Sequence, residues 1–297
     1  MPYQIALNQE KLKFAQLTTQ MKLTGETFDD DGYDIAIRRA VLDLTARTLK
    51  PRSAVNGKLV DKLADQTDTN SFFHKIKNYF NAPARSEEDF DIWHHEMCNE
   101  ILHVIREYYT NGDGSLVNYG KAQKIVNITL KSCYCLDGAN QKEEHFKHCH
   151  MALDSFTLAW YNRNTDETIH TNWSNLTEDE YKSIVRGIRT MQDPVFSTLT
   201  PLQKEFLIWP LEIMIITVKS VNDCFGGFVD GVHVDAYCNQ YNKQNDLMMA
   251  NIILGRQTPD VLDDNFVQWL KASAKKTKQK KSHSASEILR RYGYEED

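Results

Sequence analysis

A lysine-rich stretch and, some twenty residues on, an aspartate opening a helix-forming segment stand in an order that suits chemistry at a sugar carbon. The first segment reads Tyr119-Gly120-Lys121-Ala122-Gln123-Lys124-Ile125-Val126-Asn127-Ile128-Thr129-Leu130-Lys131, with Cys133-Tyr134-Cys135 close behind. The second reads Cys149-His150-Met151-Ala152-Leu153-Asp154-Ser155-Phe156-Thr157-Leu158-Ala159-Trp160-Tyr161. A neutral lysine amine can attack an anomeric carbon and form a Schiff base. A carboxylate beside the same carbon stabilises the positive charge that builds on the sugar as an N-glycosidic bond breaks.

Such a pair works only if rigid elements hold it. Placed on a helix at about 100° per residue, Ala122, Ile125, Val126, Thr129 and Cys133 gather on one face and Lys121, Lys124, Ile128 and Lys131 on the other. Two readings follow. The lysines form the solvent face of an amphipathic helix, or they face a cleft, where Lys121 and Lys131 would favour the neutral, nucleophilic form of Lys124. Asp154 likewise reads as a helix N-cap or as a catalytic carboxylate.

Taken together, Lys124-Ile125-Val126-Asn127, an apolar helix end, a loop and Met151-Ala152-Leu153-Asp154 resemble the catalytic segment of helix-hairpin-helix DNA glycosylases. The nearer likeness is to the 8-oxoguanine glycosylases and their archaeal variants. The resemblance covers about 35–40 residues of the chain and departs from the family in three respects. The Leu-Pro-Gly-Val-Gly hairpin is absent, with Tyr119-Gly120 in its place; the loop before Asp154 is long and rich in histidine; and no four-cysteine iron–sulfur pattern follows. What the resemblance implies is a helical glycosylase with Lys124 as nucleophile and Asp154 as the charge-stabilising carboxylate. A Schiff base on Lys124 would also allow β-elimination and strand nicking. The substrate would be DNA whose target base leaves the stack and enters a pocket. Lys121, Gln123, Asn127, Lys131 and Trp160 complete the expected substrate-contacting set, with Phe156 a further aromatic near the site. No cofactor is expected. The excised base and the setting, repair or defence against modified phage DNA, stay open.

Other constellations lead elsewhere. Cys133, Cys135, His145, His148, Cys149 and His150 offer zinc-type ligands, but Cys-x-Cys followed by His-x-x-His-Cys-His is not a common zinc spacing, and no metal is expected. Arg163 with His170 fits the loose Arg-x(4–6)-His motif of HEPN-type ribonucleases, which would require both residues on one helix. A non-catalytic helical protein that binds nucleic acid or another partner would need neither Lys124 nor Asp154.

The chain as a whole is consistent with these elements. Its 297 residues suffice for one large or two small domains, and only 13 glycines and 7 prolines disfavour a turn-rich β architecture. The expected fold is mainly α, with a small hairpin at residues 228–234 on Asp230-Gly231. Helical stripes are expected over residues 33–49, 71–80 and from Ser86 onward, where Phe90, Trp93, Met97, Ile101, Val104 and Ile105 share a face. Asn111-Gly112-Asp113-Gly114 reads as a turn, residues 137–147 as a loop and 162–176 as a connector. Thr177 with Glu180 has capping-box spacing, and Thr200-Pro201 starts another helix. The expected organisation is a helical domain over residues 1–270, with a cleft between 119–161 and the remainder, and a basic segment over 271–297. The net charge of −6 argues mildly against nucleic acid, but Lys271, Lys275, Lys276, Lys278, Lys280 and Lys281 concentrate positive charge in that segment. The apolar run over residues 206–218 contains Pro210 and Glu212 and is too short to span a bilayer. With six cysteines in a chain this size and no apolar leader after Met1, no membrane partner and an intracellular location are expected.

Overall fold

Several helices begin here where the sequence supplies an oxygen to cap them. In the computed structural model, which describes residues 2–16, 22–52, 59–191 and 198–212, Asp29 accepts from the Asp31 and Gly32 amides and opens a helix over Asp30–Thr48. Ser71 caps Phe72–Asn81, Ser86 caps Glu87–Tyr108, Asp154 caps Ser155–Asn164, and Thr177 caps Glu178–Thr190 through a capping box with Glu180. Each such oxygen satisfies backbone donors that a helix start leaves bare. Glu87, Glu88 and Asp89 add favourable negative charge at one of these starts.

In chain order the helices are α1 (Pro2–Gln16), α2 (Asp30–Thr48), α3 (Leu59–Leu63), α4 (Phe72–Asn81), α5 (Glu87–Tyr108), α6 (Tyr119–Cys133), α7 (Glu143–Phe146), α8 (Ser155–Asn164) and α9 (Glu178–Thr190). Residues 201–212 continue as α10. The structure is mainly α, as expected. Its strands among the described residues are β1 (Leu49–Pro51) and β2 (Tyr109–Asn111), paired antiparallel with Leu49 opposite Asn111 and Pro51 opposite Tyr109. This short ladder ties the end of α2 to the end of α5. Pro51 ends the helical reading and sits at the strand end, where its missing donor costs little.

Two expected loops hold more structure than expected. Residues 137–147 contain a 3-10 turn over Ala139–Lys142 followed directly by α7, and the connector carries α8 as far as Asn164 and a 3-10 turn over Trp173–Asn175. Short helices without an 11-residue stripe give little periodic signal. The turn at residues 111–114 is present, with Gly114 at φ 85°, a conformation that favours glycine.

The chain divides into two compact units, Met1–Leu207 and Ile208–Asp297, and the first holds every residue of the site described below. The hairpin expected at residues 228–234 and the basic segment from 271 lie outside the described residues. Within the first unit α6 is the central helix, packed chiefly against α2 and α5 and also against α9 and the Trp173 turn. An aromatic cluster fills the space beside it: Phe28, Tyr33 and Phe80 pack ring on ring, and Tyr79 stacks on Trp93 at 4.4 Å. Among the described residues no helix is long and apolar enough to cross a membrane.

Candidate active site

Helix α6 is buried on nearly all sides, so its polar residues are not a solvent face. Of its residues, Lys124 and Ile128 alone are not buried. This overturns the amphipathic reading of the lysines. The Lys121 ammonium turns inward and donates to the Thr48 carbonyl at 2.6 Å, capping the C-terminal end of α2 where a cation is favoured. Burial lowers its pKa, opposed by the charge of Asp113. The Lys131 ammonium is enclosed between the Phe14 and Phe206 rings, 4.6 Å from each centroid, and pairs with Glu205 at 2.7 Å. Both lysines are buried, 3% and 4% exposed.

Lys124 differs. Its ammonium lies 3.4 Å from an Asp43 carboxylate oxygen and 4.5 Å above the Trp173 ring, with the side chain 15% exposed. The carboxylate and the indole fix its direction from opposite elements, α2 and the turn after α8. That turn approaches α6 closely: the Gly120 amide donates to the Leu176 carbonyl at 3.0 Å, and a Cβ on Gly120 would overlap the Trp173 carbonyl. Gly120 therefore stands in for a hairpin glycine only in sequence; its work is to let the Trp173 turn reach Lys124.

Asp154, in extended backbone conformation, ends a non-helical segment, residues 149–154, that hydrogen-bonds to α6 and pairs with no strand among the described residues. One Asp154 carboxylate oxygen accepts from the Phe156 and Thr157 amides at 2.9 and 3.0 Å, and the Asp154 amide donates to the Thr157 hydroxyl at 2.7 Å. Side chains take over the backbone pairing that a sheet would supply. The Gln123 amide grips Leu153 at two points, donating to its carbonyl at 2.9 Å and accepting from its N–H at 3.2 Å. Asn127 donates to the Met151 carbonyl at 3.3 Å, and the Ala152 N–H donates to Glu205 at 2.7 Å.

Gln123 and Asn127, expected to touch substrate, are thus internal. Gln123 also donates to the Gly120 carbonyl and accepts from Asn127, each at 2.9 Å, which uses both its donors and both acceptor positions. Asn127 accepts from His94 Nε2 at 2.9 Å and donates to the Tyr181 hydroxyl at 3.0 Å. Trp160, the expected base-contacting aromatic, is 3% exposed and packs in the core. The sequence alone marks these residues as polar or aromatic; it does not show which side of α6 and α8 other elements cover.

Sequence reading also missed a network that continues from Asn127 and runs from the core to the surface at Asp91. The Tyr181 hydroxyl donates to His150 Nδ1 at 2.8 Å, and His150 Nε2 donates to Asp91 at 2.9 Å. Arg189 closes it with a two-point contact on Asp91 at 2.6 and 2.8 Å. Burial holds His94 well below its ordinary pKa, with the neighbouring His150 adding to the effect. Burial likewise lowers His150, against the pull of Asp91 and with the push of Arg189. For Asp91, burial alone would raise the carboxyl, but hydrogen bonds and charge from His150 and Arg189 outweigh it and hold the group far below the usual carboxylate range. The available signal was local: Asp91 and His94 interrupt the apolar stripe of α5.

The competing constellations separate in space. Among the described residues no three His, Cys, Asp or Glu side chains are arranged to hold a metal ion. His145 donates to the Ala82 carbonyl at 2.9 Å and His148 lies 3.7 Å from Glu87, while His150 belongs to the network above. Burial raises the thiols of Cys133 and Cys149. Arg163 is in the last turn of α8, whereas His170 lies beyond it in exposed, non-helical chain, so the two do not share a helix.

Lys124 is thus a partly exposed, oriented amine and Asp154 a capped carboxylate that is itself buried, 6% exposed, and Gln123 links the residue before Asp154 to the helix that carries Lys124. No protein-family model, curated protein or solved structure matches the chain.

Proposed function

We propose that the chain is a DNA glycosylase in which Lys124 attacks C1′ of a damaged or modified nucleotide and Asp154 stabilises the charge that develops on the sugar. The observation that supports this most is the two-point grip of Gln123 on Leu153. Gln123 precedes Lys124 and Leu153 precedes Asp154, so one buried amide fixes the register between the two functional residues. The burial of Lys121 and Lys131 supports Lys124 as the nucleophile by removing its neighbours from contention.

In this reading the Lys124 ammonium gives up a proton and its freed electron pair attacks C1′. The C1′–N bond breaks and its electrons leave with the base, which takes up a proton. Ring opening moves the C1′–O4′ pair to oxygen and leaves a Schiff base on Lys124, from which β-elimination can cut the strand. Asp154 is most useful before bond cleavage is complete, when the sugar carries positive charge. Asp43 is the carboxylate nearest the amine and the candidate to take its proton. Incubation with duplexes carrying oxidised or otherwise modified bases tests this. Wild-type protein should release the base, and Lys124→Gln, which keeps helix propensity, should abolish release. Equal release by both would refute the assignment.

A further inference from the structure

Among the described residues, the backbone of the segment before Asp154 is held by neutral side chains except at one point. Gln123, Asn127 and Thr157 serve Leu153, Met151 and the Ala152 carbonyl, but the Ala152 N–H donates to a carboxylate, Glu205, that is 1% exposed. A buried carboxylate is costly to desolvate and needs a partner, here Lys131 at 2.7 Å. A neutral amide would satisfy one N–H as well. A charged acceptor instead makes a shorter, stiffer bond, and it does so two residues from the proposed catalytic carboxylate. Burial pushes the Glu205 carboxyl up, Lys131 and the Ala152 N–H pull it back, and the Asp154 charge pushes it up again, so the two carboxylates sense each other.

We infer that Glu205 is a positioning residue that fixes Asp154 through the Ala152 amide, without touching substrate; the catalytic part of this inference rests on the glycosylase reading. Asp154 then owes its placement to a hydrogen bond from α10 as well as to its own cap.

Changing Glu205 alone would strand the Lys131 ammonium in the interior, so the test compares two double variants with the same charge. In Lys131→Met with Glu205→Gln, the Ala152 N–H keeps an acceptor; in Lys131→Met with Glu205→Leu, it loses it. The inference predicts that the Leu form has kcat at least tenfold below the Gln form at unchanged KM. It also predicts that the Asp154 and Phe156 amides exchange hydrogen at least tenfold faster in the Leu form, while α9 amides exchange equally in both. Equal exchange at Asp154 and Phe156 in the two forms overturns the inference, as does equal kcat. If Leu prevents folding, Glu205→Met on the same background replaces it. The exchange measurement needs no substrate, so wild-type protein that excises no base refutes the glycosylase reading while the positioning of Asp154 is still decided.

Discussion

Two roles compete for the Asp154 carboxylate, and a single substitution separates them. A helix cap needs an oxygen acceptor, which Asn provides about as well as Asp. A group that balances developing sugar charge must itself be charged. Asp154→Asn should therefore leave thermal stability nearly unchanged, within about 1 kcal/mol, and lower excision by roughly 100-fold or more, the scale expected when a preorganised electrostatic contact is lost. Single-turnover kinetics beside thermal denaturation measures both. Full excision by a stable Asn variant would reduce Asp154 to a cap. The residue types Lys and Asp were legible in the sequence, as was the capping position. The status of the other lysines was not. The Thr48 carbonyl that receives Lys121 and the carboxylate of Glu205 that receives Lys131 are both remote in the chain, and a helical projection shows only that a residue is polar.

At the scale of elements, α4 and α5 were readable because their apolar stripes and serine caps coincide. Helix α6 was readable as a helix but not as a central one, since burial on every side depends on what packs around it. The Trp173 turn was invisible to periodicity, yet it presents the indole to Lys124. Gly120 makes that approach feasible. Gly120→Ala should gain slightly in intrinsic helix propensity and lose more through overlap with the Trp173 carbonyl. The expected net effect is destabilisation of about 1–3 kcal/mol, with excision reduced in the fraction that remains folded because the turn shifts away from Lys124. Urea unfolding checks the first part. A variant as stable as the wild type would mean the turn moves freely and does not orient Lys124.

For the molecule as a whole, the largely buried His94–Asn127–Tyr181–His150 network, closed at the surface by Asp91 and Arg189, ties α5, α6, α9 and the segment before Asp154 together. It also makes folding sensitive to acid. His94 and His150 are held below their ordinary pKa in the folded protein, so below about pH 6.5 the unfolded chain takes up protons that the folded one refuses. Stability should be full above that pH and fall below it, by up to about 1.4 kcal/mol per pH unit for each such proton, until the folded histidines themselves protonate. Asp91, also lowered, adds a further loss once the pH drops below about 4. Urea midpoints at pH 7.5 and 5.5 should differ accordingly, and midpoints independent of pH across that interval would show that the histidines are not held neutral.

The most direct measurement is to trap the Schiff base with borohydride on DNA carrying a modified base and identify the modified peptide by mass spectrometry. The reduced sugar adduct is expected on Lys124, in wild-type protein and in Lys121→Arg, and absent from Lys124→Gln. An adduct on Lys121 or Lys131, or on no lysine of α6 while base excision proceeds, would contradict the assignment of Lys124 as the nucleophile.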